Sequence, residues 1–162
     1  MKLISDTGPI IGLAKIKKLY LLPQFAQEIL IPPMVHRELL GKIGPESKEI
    51  DGSLNSFIKV TDLPQITTEI QGVLIGLGEG ERQAIALAYN LADDVLLLMD
   101  DRAGREVASK LRIAVTGLVG LLLRAKERGL VPNIGSITEE LRDNGYWLSD
   151  DIIKAAKKLA GE

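Results

Sequence analysis

Apolar and polar positions run along this chain in short blocks, and the blocks predict strands alternating with helices. Leu3 and Ile4 form the centre of a first strand, Lys2 to Ser5, which meets Asp6 and then the turn residues Gly8-Pro9. Ile10, Ile11, Leu13 and Ala14 start a helical pattern that runs to about Leu22, where Pro23 breaks it. Glu28 to Ile31 reads as a second strand, stopped by Pro32-Pro33. Pro33 suits the first turn of a helix over Met34 to Leu40, which ends at Gly41. Glu46 to Leu54 is a short amphipathic segment, and Phe57 to Val60 a third strand. A connector from Thr61 to Thr67 carries Pro64, and Glu69 to Ile75 has helical spacing.

The second half follows the same rhythm. Gly76 to Gly80 interrupts the pattern and opens a helix, Glu81 to Ala92, with Ala84, Ile85, Ala88, Leu91 and Ala92 at helical spacing. Val95 to Met99 is a continuous apolar run bounded by aspartates, as in a strand buried on both faces. Helix is predicted over Arg105 to Leu111, strand over Arg112 to Val115, a turn at Thr116-Gly117, and helix again over Leu118 to Arg128. Gly129 and Pro132 close that helix. Two last helical segments, Ile134 to Arg142 and Asp150 to Leu159, flank Asn144 to Leu148. No repeat, low-complexity stretch or long linker divides the chain. The expectation is one domain over residues 1–162, with the helical segment at about 134–160 packed on it. Strands alternating with helices give an α/β fold with a parallel sheet covered on both faces.

Composition narrows the chemistry. Apolar residues make up 46% of the chain but aromatics only 4%, so Leu, Ile, Val and Ala must fill the core. A net charge of -2 excludes a strongly basic nucleic-acid protein and leaves room for local basic patches. With no Cys there is no disulfide, thiolate metal site or cysteine nucleophile. The single histidine, His36, excludes a multi-histidine zinc site and speaks against histidine-centred catalysis. No apolar run approaches the ~20 residues of a membrane span. Met1-Lys2 leads directly into the first strand, with no signal peptide, so a cytoplasmic location is expected.

The candidate chemistry is acidic. Asp6, Asp100 and Asp101 follow strands, in the position where open α/β sheets bind ligands. Glu38 shares a helix face with Met34 and Val35, and Glu81 projects from the face of Ile85 and Ala88. Each acid also has an ordinary reading: Asp6 and the Asp100-Asp101 pair as helix caps, Glu81 as a first-turn acid, Glu38 as an exposed helix acid. Glu79 reads as a first-turn or capping acid. The recurrence of acids at several element ends favours a shared site. Converging carboxylates need a cation, and with oxygen ligands alone a hard ion, Mg²⁺ or Mn²⁺, is the natural fit.

Four blocks carry a family resemblance: Ile4 to Ile11, Ile31 to Leu40, Gly78 to Ala88, and Leu97 to Arg105. In this order they resemble the PIN domain, a metal-dependent nuclease fold common among prokaryotic toxins. The run Val115 to Lys126 is similar to a poorly characterised prokaryotic PIN-like subfamily. The resemblance implies a three-layer α/β/α sandwich whose central parallel sheet has about five strands in the order 3-2-1-4-5. It implies a catalytic set of Asp6, Glu38, Glu81, Asp100 and Asp101, of which Asp6, Glu81, Asp100 and Asp101 would ligate one or two Mg²⁺ or Mn²⁺ ions. These would activate a water for attack on an RNA phosphodiester. The common toxin pattern has an Asp where Glu81 stands and one Asp, not two, after the fourth strand. Motif spacing leans toward Asp101, and the choice between the pair stays open. Thr7 and Thr116 would support the acids by hydrogen bonds.

RNA would be held by Arg102, Arg105 and Arg124, which follow the carboxyl edge or lie on helices starting there. Lys15, Lys17 and Lys18 form a second basic cluster. The scarcity of aromatics argues against base stacking, and Tyr146 and Trp147 read as a hydrophobic clasp between the last helices, with a subunit contact as the alternative. The resemblance further implies a homodimer, a small antitoxin partner and the toxin role in a toxin–antitoxin pair. The alternative function is a PIN-like module, catalytically weak or inactive, that binds RNA or protein. A phosphoacceptor receiver would want two acids after the first strand, and an aspartate-nucleophile phosphohydrolase would want Asp-x-Asp where Gly8 stands.

Overall fold

The computed structural model describes residues 1–63 and 65–162; Pro64, assigned above to a connector, lies outside the described residues. In chain order the elements are β1 (Lys2–Ser5), α1 (Thr7–Lys15), β2 (Glu28–Ile31), α2 (Pro33–Leu40), α3 (Ser47–Leu54), β3 (Ile58–Val60), α4 (Thr68–Gln71), α5 (Glu79–Leu91), β4 (Val95–Leu98), α6 (Arg102–Lys110), β5 (Ala114–Thr116), α7 (Leu118–Glu127), α8 (Ile134–Asp143) and α9 (Asp150–Leu159). The five strands form one parallel sheet in the order β3-β2-β1-β4-β5, with helices on both faces, as the PIN-like expectation requires.

Every strand of the sheet's centre is apolar on both sides, and the alternation sorts its side chains between two cores. Leu3, Ile29, Ile31, Leu96 and Leu98 point to one face, where residues of α1, α3, α7, α8 and α9 cover them. Ile4, Leu30, Leu97 and Met99 point to the other, against α4, α5 and α6. Leu3, Ile4 and Leu97 are completely buried. Truncating any of them to Ala costs roughly 2–5 kcal/mol. Residues Ala84 to Ala88 of α5 are all buried, so this helix is enclosed on more than one side.

Local chemistry shifts several boundaries from the sequence expectation. The first helix stops at Lys15 because Lys17 takes a left-handed conformation (φ 57°), and Pro23 sits inside a separate 3₁₀ turn, Leu19–Gln24. The helix expected from Arg105 begins at Arg102, since Asp101 caps it by accepting the Gly104 N–H at 2.7 Å. The last strand is Ala114–Thr116 rather than Arg112 to Val115, because Arg112 is left-handed (φ 61°) and belongs to the preceding turn. The segment Glu69 to Ile75 divides into α4 and a 3₁₀ turn, Gly72–Leu74. The clasp assigned to Tyr146 and Trp147 is half right: Tyr146 packs on the core and Trp147 is 80% exposed.

Candidate functional site

Parallel pairing brings the acids to one edge. Lys2 to Ser5 pair in register with Val95 to Leu98, so the residues that follow both strands emerge side by side. The ladder continues one step further: Asp6 N–H donates to the Leu98 carbonyl at 3.0 Å, and Met99 N–H to the Thr116 carbonyl at 2.9 Å. Asp6 and Asp100 therefore leave the sheet together at its carboxyl end. Glu38 comes from α2, Glu81 from the first turn of α5, and Asp101 from the cap of α6. All five line a single cleft of about 330 Å³, with Thr7, Gly8, Gly78, Glu79 and Gly80.

Most of these acids take one hydrogen bond from their own surroundings. Glu38 Oε2 accepts the Thr7 hydroxyl at 2.8 Å. Glu81 Oε2 accepts the Gly78 N–H at 3.1 Å, holding the loop that enters α5. Asp101 Oδ2 accepts Gly104 N–H, and Asp100 Oδ1 accepts Leu118 N–H at 2.8 Å. Asp6 stands at the N-cap of α1 but makes no side-chain cap, which removes the ordinary reading of this residue. Among the described residues, none of the five acids forms an ion pair.

The result is crowded negative charge beneath a partly closed surface. Burial pushes Asp6 up to about 6; the Thr7 amide opposes this, while Glu81, Glu38 and Asp100 push in the same direction. Glu81 is also raised, by burial first and then by Asp101 and Glu38 against the Gly78 amide. Burial raises Asp100, against the Leu118 amide and Arg105.

Three residues in or beside the cleft lie within the resemblance blocks but are not singled out by the sequence reading. Gly80 is one: a Cβ there would stand 2.6 Å from Glu38 Oε1, so only glycine lets α5 approach the carboxylate this closely. Gln83 is the second; its Oε1 accepts Met34 N–H at 2.9 Å and ties the start of α2 to α5. Gly117 is the third, since its Cβ would lie 3.1 Å from both Asp100 Oδ1 and Arg105 Nη1. Helical spacing alone finds none of these, because each depends on a contact between elements distant in sequence.

The supporting residues separate. Thr7 touches Glu38 as expected, but the Thr116 hydroxyl turns back to the Gly117 carbonyl at 3.3 Å and bonds to no acid. Arg105 stays at the site, donating to the Asp100 carbonyl at 2.6 Å. Arg102 is 88% exposed and pairs with Glu106. Arg124 is not brought to the acids: α7 starts at the carboxyl edge, but two turns carry Arg124 to the opposite edge, into a 620 Å³ hollow with Met1, Asp94 and Arg112. Lys15, at the end of α1, pairs with Glu46 at 3.8 Å. Glu79 pairs with Arg82.

The donor set suits a hard cation. All the side chains are oxygen donors, and Asp100 Oδ2 is, among the described residues, the one buried side-chain polar atom without a hydrogen-bond partner. As placed, no three acidic or histidine side chains among the described residues stand in a metal-holding group. Glu38, Glu81 and Asp101 each accept one local hydrogen bond, from Thr7, Gly78 and Gly104.

Comparison with known proteins agrees with this fold. The family model DUF3368, described as a PIN domain, matches residues 2–162. A PilT N-terminus domain protein from the hyperthermophilic archaeon Sulfolobus solfataricus P2 has a similar fold (TM-score 0.57) at 18% identity, with 77% of this chain and 93% of that one covered. No curated protein matches the chain. No helix among the described residues is long and apolar enough to cross a membrane.

Proposed function

The chain belongs to the PIN domain family, whose members are generally metal-dependent nucleases, and we propose that it is an endoribonuclease dependent on Mg²⁺ or Mn²⁺. The observation that carries this reading is the single cleft lined by five carboxylates, none of which, among the described residues, forms an ion pair. In this reading Asp6, Glu81 and Asp100 hold the ion, and the free, buried Oδ2 of Asp100 is its anchor. Asp101 contributes charge while it caps α6. When bound, Mg²⁺ or Mn²⁺ supplies a water of lowered pKa and screens the scissile phosphate, so no histidine base is required. Glu38, fixed by the Thr7 hydroxyl, is placed to accept a proton at a carboxylate oxygen. Arg105 adds positive charge beside Asp100 where a phosphate would approach.

The biological setting we propose rests on resemblance to prokaryotic PIN toxins: a cytoplasmic homodimer, restrained by a small antitoxin. One observation favours a second reading, a module that binds RNA or protein without cleaving it: the acids are turned to local partners rather than gathered into a ligand group. Cleavage of RNA in Mn²⁺, in EDTA, and by Asp6→Asn distinguishes the two. Products that need Mn²⁺ and vanish in Asp6→Asn support the nuclease; intact RNA in all three leaves the binding module.

A further inference from the structure

A second hollow, about 410 Å³, adjoins the acid cleft through Asp100, which lines both. We infer that it seats one unpaired nucleobase of the substrate strand, with Trp147 as the stacking wall. The inference rests on the nuclease reading, because it places the base one step from the phosphate that the acids would address.

The argument begins with the conformation of residues 146–148. Tyr146 packs on α1, where its ring lies 2.8 Å from the position a Cβ would take at Gly12. Leu148 is 7% exposed and belongs to the same core. These two neighbours do the clasping, and Trp147, fixed between them, is 80% exposed. An indole held outward between a half-buried Tyr146 and a buried Leu148 has lost backbone freedom and gained little burial in the folded chain. Such a ring suits a flat apolar ligand, and every nucleobase has such a face.

The rest of the hollow matches a nucleotide. Arg105 lines it and brings a guanidinium beside Asp100, charge suited to the phosphate linking the seated base to the strand. Gly117 and Gly120 leave its floor without side chains, and Ile152 supplies an apolar margin. Its size lies within the roughly 300–1,000 Å³ of small-ligand pockets. Aromatic face, cation and continuity with the acids occur together here, and that combination favours a nucleic-acid strand over an apolar protein segment.

Trp147 is the chain's single tryptophan, so its emission reports on this hollow alone. The wild-type protein is titrated in EDTA with a single-stranded RNA oligonucleotide and with an abasic oligonucleotide of the same length and charge. Quenching by the base-bearing strand and not by the abasic one is expected. Trp147→Ala should weaken binding of the labelled strand by about tenfold, and Trp147→Phe should restore most of it. The same variants are then assayed for cleavage in Mn²⁺, where Trp147→Ala should raise KM more than it lowers kcat. Wild-type cleavage with an unchanged KM in Trp147→Ala overturns the base seat and leaves the nuclease reading intact. Base-dependent quenching without metal-dependent cleavage supports the seat and removes the nuclease reading. Absence of both removes both.

Discussion

Two groups of carboxylates in this molecule meet opposite fates. Glu162 accepts the Lys126 ammonium at 2.7 Å and the N–H groups of Ile134 and Gly135 at 2.7 and 2.9 Å, and these hold it down at about 2. Asp6 also sits at a helix start, yet burial and three neighbouring acids push it up to about 6. The difference is the setting: Asp6 is buried among acids, whereas Glu162 is held by a cation and two amides. Glu162 stitches α7 to the beginning of α8 and serves the fold. The acids of the cleft have no such ion-pair partner among the described residues, and in the proposed reading a bound cation would relieve their crowded charge.

The sharpest way to break the contrast is to remove the charge of Asp6. Asp6→Asn should lower metal-dependent RNA cleavage by more than about 100-fold, since even groups one step from a metal are worth roughly 10–100-fold. In EDTA at pH 7.5 the same variant should unfold at higher urea than wild type, by on the order of 1–3 kcal/mol. The sign follows from the raised value. Asp6 in the folded chain prefers its proton, so its contribution is favourable below the ordinary 3.8 and is lost as pH rises toward about 6. Metal-free wild type should thus gain stability as pH falls from 7 to 5. Urea titrations that show no such gain would remove the strained-cleft account.

The tandem aspartates give the next test. Asp100→Asn should reduce cleavage by about 100-fold. Asp101→Asn keeps a side chain that caps helices well and should reduce it by about tenfold or less. A reversed order in single-turnover rates would return the anchor to Asp101. Gly80→Ala should then act through packing: the added methyl displaces Glu38, with about 1–3 kcal/mol lost in urea unfolding and a matching loss of rate. The smallest effect belongs to the other group. Glu162→Gln should lower Tm modestly at pH 7 with kcat unchanged. Because the value of Glu162 is depressed, its contribution is present above the ordinary 4.5 and fades as pH falls toward about 2, so variant and wild type should converge in acid.

Much of this architecture is readable from the chain alone. Ile29 to Ile31 and Val95 to Leu98 are unbroken apolar segments with hard stops, and no packing knowledge is needed to find them. Asp6 and Asp100 follow from the same logic, since whatever ends a parallel strand lands at the ligand edge. Glu38 is different. Its helix is too short for periodicity to fix a face, and Thr7 and Gly80 decide its position from 31 residues before it and from across the cleft. Arg124 shows the converse error: the start of α7 is legible, but a helix carries its later residues away from the edge where it begins. Thr116 fails for a subtler reason. A hydroxyl next to a turn finds the local carbonyl before it finds a distant acid. Trp147 is missed because spacing cannot separate a buried ring from one that its neighbours hold outward.

The two outermost strands, β3 and β5, contain three residues each, and Lys59 sits in the middle of one of them. Neither margin offers a long free ladder of backbone groups to a foreign chain. Self-association of this protein therefore has to be written in side chains, and crowding alone should not convert it into extended fibres.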